Sequence, residues 1–89
     1  MGDPVTRFVI RMTTTRGQFY WTNYVHNLNA FGWSDMAVDA QSYQNRRQTE
    51  TRATALAAAF SRVFPIEHME VVAVTVVPAN MRIVEVLEP

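Results

Sequence analysis

The spacing of apolar residues changes period along the chain, and those changes divide it into elements. From Val5 to Thr14 the residues are rich in β-branched types and alternate. Phe8, Ile10 and Met12 fall on one side, and Arg7, Val9 and Arg11 on the other. A period of two in such residues predicts a strand. Thr15-Arg16-Gly17-Gln18 follows, and glycine there suits a short hairpin loop with Gly in the left-handed region, as in a type I turn plus G1 bulge. Phe19 to His26 reads as the returning strand, with Phe19, Trp21 and Val25 opposed to Tyr20, Tyr24 and His26.

From about Glu50 to Phe64 the period lengthens. Ala53, Leu56, Ala57, Phe60, Val63 and Phe64 recur every three or four residues, the stripe of an amphipathic helix. Thr49 or Thr51 can cap its start, and Pro65 ends it through its missing N–H and its effect on the residue before it. The run Ala57-Ala58-Ala59 would let the helix axis sit close to a sheet. Met69 to Val77 then reads as a Val-dominated strand, Pro78-Ala79-Asn80 as a turn, and Met81 to Leu87 as the last strand.

The stretch Asn29 to Gln48 has no clear period. Ser34-Asp35 can cap a short helix through Met36 and Val38, Ala37 to Tyr43 can form an edge strand, or the whole piece can be an arm on a neighbour. The elements together predict one α+β domain in the order strand-strand-helix-strand-strand. Its sheet is four-stranded and largely antiparallel, with the helix on one face and segment 29–48 as an irregular lid or arm.

One helix covers one face of such a sheet, yet both faces of these strands are apolar. Val71, Ala73 and Val77 oppose Val72, Val74 and Val76; Phe19 and Trp21 oppose Tyr20 and Tyr24; Ile83 and Leu87 oppose Val84 and Val86. Left bare, the second face would be a larger apolar patch than monomers usually carry. Either segment 29–48 folds back over it with Phe31, Trp33, Met36 and Val38, or another subunit covers it.

Composition narrows the function classes. With 89 residues there is material for one core, and 48% hydrophobic and 11% aromatic residues suffice to form it. Eight basic and eight acidic side chains cancel, so no long-range field steers the chain to nucleic acid or anionic lipid, and little repulsion keeps copies apart. Every basic residue is Arg, which forks onto carboxylates and stacks on aromatics, as protein interfaces favour. Without Cys there is no disulfide or thiolate chemistry, and the longest apolar run, Val71 to Val77, is too short to span a bilayer. The N-terminal Met-Gly-Asp-Pro lacks the pattern of a secretory signal, so the expected location is wherever the chain is made, or a particle assembled there.

Catalytic signatures are sparse. His26 and His68 are far apart, and Glu67-His68-Met69-Glu70 brings two carboxylates to one imidazole without the further ligand a metal needs. Asp35 and Asp39 would share a face if their segment were helical, a pattern far commoner on solvated helices than in paired-carboxylate sites. Gly2, Gly17 and Gly32 are too scattered for a phosphate loop, and no G-x-S-x-G occurs. No catalytic residue, metal or cofactor is expected.

Nucleic-acid binding is the alternative class. Arg16-Gly17-Gln18-Phe19-Tyr20-Trp21 loosely echoes the basic-Gly-aromatic strand of RNA-recognition domains, and Arg7, Arg11, Arg46, Arg47 and Arg82 could meet phosphates. The net charge of zero and the single helix weigh against it.

The run Thr13-Thr14-Thr15-Arg16-Gly17-Gln18-Phe19-Tyr20, with Tyr24-Val25-His26 after it, is similar to the opening hairpin of small structural proteins of tailed phages. So is an Ala-rich helix followed by Glu67-His68 and a Val-rich strand. The resemblance implies a virion component such as a capsid-decorating, neck or tail protein, and it assigns no binding residues. Combined with the two-sided sheet, it leads to an assembly subunit whose partners are copies of itself or other virion proteins. The residues expected at its interface are Tyr20, Tyr24, Phe31, Trp33, Met36 and Tyr43, with Arg46 and Arg47 at the rim.

Overall fold

Five strands and one helix account for most of the chain in a computed structural model, which describes residues 3–23 and 32–87. In chain order they are β1 (Val5–Thr14), β2 (Gly17–Trp21), β3 (Trp33–Ser34), α1 (Arg46–Phe60), β4 (Ile66–Val77) and β5 (Arg82–Leu87). A 3-10 turn, Ala37–Asp39, lies between β3 and α1. The sheet is antiparallel throughout, in the order β3-β2-β1-β4-β5. The α+β class and the single helix are as the periodicity predicts, but the sheet has five strands rather than four. The extra strand is only two residues long, too short to leave an alternating signature.

The first hairpin closes as its sequence predicts. Thr14 pairs with Gly17, whose φ is +134°, and the Thr14 hydroxyl accepts the Arg16 N–H at 3.0 Å. β2 ends at Trp21; Tyr24, Val25 and His26, assigned to the same strand, lie outside the described residues. β4 begins at Ile66, three residues before the expected start, because Thr14 and Thr13 of β1 pair with Ile66 and His68 and leave Glu67 as a bulge. Met81 belongs to the turn, not the strand: its φ of +57° is incompatible with extended backbone.

α1 starts earlier and ends earlier than its apolar stripe. Asn45 is the N-cap, its Oδ1 accepting the Gln48 N–H at 3.0 Å, while Thr49 is buried in the first turn and donates to the Asn45 carbonyl at 2.6 Å. Asn is at least as good an N-cap as Thr, and here it stands four residues upstream of Thr49. At the other end Pro65 disfavours helical geometry at Phe64. The N–H groups of Val63 and Phe64 both converge on the Phe60 carbonyl, which leaves Val63 exposed and keeps Phe64 against the core.

α1 packs on one face of the sheet, over Ile10, Met12, Trp21 and Trp33, with Ala53 and Leu56 buried from its own side. The opposite face carries Val9, Tyr20, Val72, Val74, Val76 and Ile83. The 3-10 turn touches both β2 and β5. Three residues of 3-10 helix span about 6 Å, whereas β2 and β5 would stand about 14 Å apart in a flat sheet. The sheet therefore curls around the turn, helped by bulges in the β1–β4 and β4–β5 pairs, which sharpen local twist.

Curling settles how the second apolar face is buried. Ala37 and Ala40, small enough for a tight concavity, pack onto it. The lid is therefore real, but its apolar contacts are not those expected. Trp33 goes to the helix face, Phe31 lies outside the described residues, and Met36 and Val38 point outward.

Candidate interaction surface

Segment 32–45 arranges the surface features, and it combines two of its expected forms. Ser34 accepts the Met36 N–H at 3.1 Å and donates to Asp39 at 2.8 Å, fixing the 3-10 turn. Asp35 and Asp39 consequently share no helical face. Further on, Tyr43 exchanges two backbone hydrogen bonds with Phe8, at 2.8 and 2.7 Å, and extends the sheet beyond the end of β2.

Above that bridge the helix lays down arginines. The Arg46 guanidinium lies 4.8 Å from the centre of the Phe8 ring, and that of Arg52 lies 5.5 Å from the Tyr43 ring. Arg7 donates to the Ser42 hydroxyl at 2.9 Å and its carbonyl at 3.0 Å. Among the described residues, no carboxylate pairs with Arg7, Arg46, Arg47 or Arg52. Arg7 and Arg52 line a cleft of about 670 Å³ with Gln41, Ser42, Gln44 and Gln48, and no acidic side chain contributes to it. The first turn of α1 holds Arg46 and Arg47 and no acid, so the positive end of the helix dipole adds to their field.

Tyr43 lines this cleft half-buried, and its buried hydroxyl lies beside the Trp21 indole without a well-formed hydrogen bond. Burial raises its pKa above the usual 10.0, against the opposing pull of Arg52 and the neighbouring Trp21 indole.

On the other face Arg11 is buried and grips Glu70, with Nε at 2.8 Å and Nη2 at 2.6 Å from one carboxylate oxygen. The second oxygen lies 3.2 Å from His68 Nε2. Burial alone would raise the Glu70 pKa, but the hydrogen bonds and charge of Arg11, with a smaller contribution from His68, outweigh it and lower it. Of the Glu67-His68-Met69-Glu70 sequence, His68 and Glu70 thus join Arg11 in one polar cluster. Among the described residues, no three His, Asp or Glu side chains converge as metal ligands would.

The residues expected at an interface separate into three groups. Tyr20 and Trp33 are core: Trp33 is 2% exposed, 5.2 Å from Trp21 and 5.7 Å from Phe60, ring centre to ring centre, and offers nothing to a partner while the fold persists. Tyr24 and Phe31 lie outside the described residues. Met36, at 56% exposed, and Arg46 and Arg47 are on the surface, with Tyr43 beneath the arginines.

Sequence reasoning overlooked Val38 and Val84, 44% and 54% exposed, as surface features. Val84 is the extra residue of the β5 bulge, skipped between the Thr75–Glu85 and Val76–Ile83 pairs, and nothing in its sequence marks it. Arg52 could have been found, since Arg46 and Arg52 stand on a helix that carries only Glu50 as an acid.

No family model, curated protein or solved structure matches the chain. No helix among the described residues is long and apolar enough to cross a membrane.

Proposed function

We propose that the chain is a structural assembly protein acting by protein–protein packing, as a component of a virus particle such as a capsid-decorating, tail or neck subunit. The observation that carries this reading is the apolar surface on two adjoining elements. Met36 and Val38 project from around the 3-10 turn, and Met81 and Val84 from the start of β5, which touches that turn. Single exposed apolar residues are ordinary, but several on adjoining elements mark a contact surface. The similarity of the hairpin and the Ala-rich helix to phage structural proteins supplies the virion context, and with it a location in the particle or the host cytoplasm. No catalytic step is assigned.

Glutamate at both Val38 and Val84 tests the surface. The double variant should keep its far-UV spectrum and associate measurably more weakly than the parent in sedimentation. Association equal to that of the parent would refute the role of this surface.

A second reading, binding of single-stranded nucleic acid, is favoured by one feature, the carboxylate-free cleft of Arg7 and Arg52 beside Arg46. It cannot use the sheet aromatics as a stacking platform, because Tyr20 and Trp21 are core. Binding there would rest on phosphates and weaken steeply with salt. A mobility shift at low salt, abolished by Arg52→Gln, would favour this reading over assembly alone; no shift would remove it.

A further inference from the structure

β4 is twelve residues long, but β5 pairs only with Ala73–Val77. On its other side β1 runs alongside almost the whole strand. Among the described residues nothing pairs with the outer edge of β4 from Ile66 to Val72.

The direction of the backbone groups on that edge follows from the ladder. Phe8 exchanges both of its hydrogen bonds with Tyr43, on the side of β1 away from β4. Residues of an antiparallel pair alternate between bonding to one neighbour and bonding to the other. Ala73, opposite Phe8, therefore turns its N–H and C=O towards β5, and Val71 and Met69 turn theirs to the open edge. The bulge at Glu67 shortens the usable length, but His68 to Val72 stay in regular register with β1. No Pro or Lys, the usual guards of an exposed edge, occurs between His68 and Val72.

α1 stands beside this edge. Glu50, Ala53, Thr54 and Ala57 form one wall of a groove of about 320 Å³, and Met69, Glu70 and Val71 form the other. The small side chains leave room for an added strand and for whatever that strand carries.

Charge selects the occupant. Two strands in antiparallel pairing about a twofold axis match residues whose numbers sum to twice the axial position. With the axis at Met69, His68 of each copy stands opposite Glu70 of the other, and Glu67 opposite Val71. Moving the axis to His68 forfeits both His68–Glu70 pairs, and moving it to Glu70 sets two carboxylates directly opposite, which destabilises a pair. Moving it to Val71 runs Met69 into Ala73, which β5 already occupies.

We propose that the β4 edge binds a second copy of this chain, antiparallel about a twofold axis at Met69, so that two five-stranded sheets become one. The inference rests on the assembly reading above and names the partner and its register. The two α1 helices then lie on the same face of the joined sheet, flanking the axis, and each Glu70, already held by its own Arg11 and His68, also faces the partner's His68.

Amide hydrogen exchange on the intact chain, read by NMR at dilute and concentrated protein, tests the pairing directly. The Met69 and Val71 amides should exchange quickly when dilute and slow by at least about tenfold as copies associate, because an edge amide gains a bonded partner. His68→Glu should weaken association by about tenfold, by opposing two carboxylates, and its far-UV spectrum should not change. An associated chain whose Met69 amide still exchanges at the dilute rate overturns the edge pairing and leaves the assembly reading intact. A His68→Glu chain that associates as well as the parent overturns the register. A chain that is monomeric at every concentration overturns both.

Discussion

Arg11 and Glu70 sit directly across the β1–β4 pair, and Arg11 places both Nε and Nη2 on one carboxylate oxygen of its partner. The arginine is 6% exposed, and that carboxylate is one of the groups that compensate its charge. Glu70→Ala removes it from the buried guanidinium and should cost about 2 kcal/mol, below the ~3–5 kcal/mol of fully buried pairs because water reaches the glutamate. Replacing both residues with Met should recover most of that loss. Urea midpoints of the single and double variants measure the difference.

The same pair sets an acid limit on stability. The Glu70 pKa is lower in the folded chain than its ordinary 4.5, so the unfolded chain binds the proton more tightly. Its contribution is complete above about that ordinary value and declines as pH falls through the lower folded value. Glu70→Gln should be less stable than the parent at neutral pH, and the gap should close on acidification. A gap that is constant with pH would contradict the assignment.

Tyr43 sets an alkaline limit with the opposite sign. Its raised pKa means that stability is complete below 10.0 and falls as pH rises past it. Because its buried hydroxyl makes no well-formed hydrogen bond, Tyr43→Phe should raise stability by about 0.5–1 kcal/mol and flatten the alkaline decline. Thermal melts at neutral and alkaline pH give both numbers.

Gly32 and Gly17 both have positive φ, but they differ in what a side chain would meet. At Gly32, φ +92°, a Cβ would stand 2.6 Å from the Trp21 ring; at Gly17, φ +134°, nothing lies within 4 Å. Gly17→Ala should therefore cost about 1 kcal/mol of backbone strain, and Gly32→Ala roughly 3 kcal/mol, since the ring must also move. Equal urea midpoints for the two variants would refute the close approach.

Trp33 shows where the sequence was and was not legible. Strand alternation, the helical stripe and the hairpin glycine are local signals, and they located β1, α1, β4, β5 and the start of β2 to within a few residues, while β2 ends at Trp21, short of the expected Phe19 to His26. Trp33 looked like an interface aromatic because its segment had no period. Its burial instead depends on a two-residue strand beside Trp21 and on Phe60, far along the chain. The curl of the sheet was equally hidden, because it arises from bulges that alternation does not reveal. Curling lets the face of Val9, Val72, Val74 and Val76 close around Ala37 and Ala40. Trp33→Ala should accordingly cost about 3–5 kcal/mol and broaden unfolding, rather than act on association alone.

The surface was legible in type more than in position. The all-Arg usage pointed to stacking on aromatics, and Arg46 over Phe8 and Arg52 over Tyr43 are such contacts. Which apolar residues face outward depends on the 3-10 turn at Ala37–Asp39 and the bulge at Val84, both irregular elements without a repeat.

The most direct test of the assembly account is the mass of the purified chain in solution, by light scattering on a size-exclusion column at low and high loading. A mass that rises with loading from one chain to a defined oligomer is the predicted result. A monomer at every loading would contradict self-assembly.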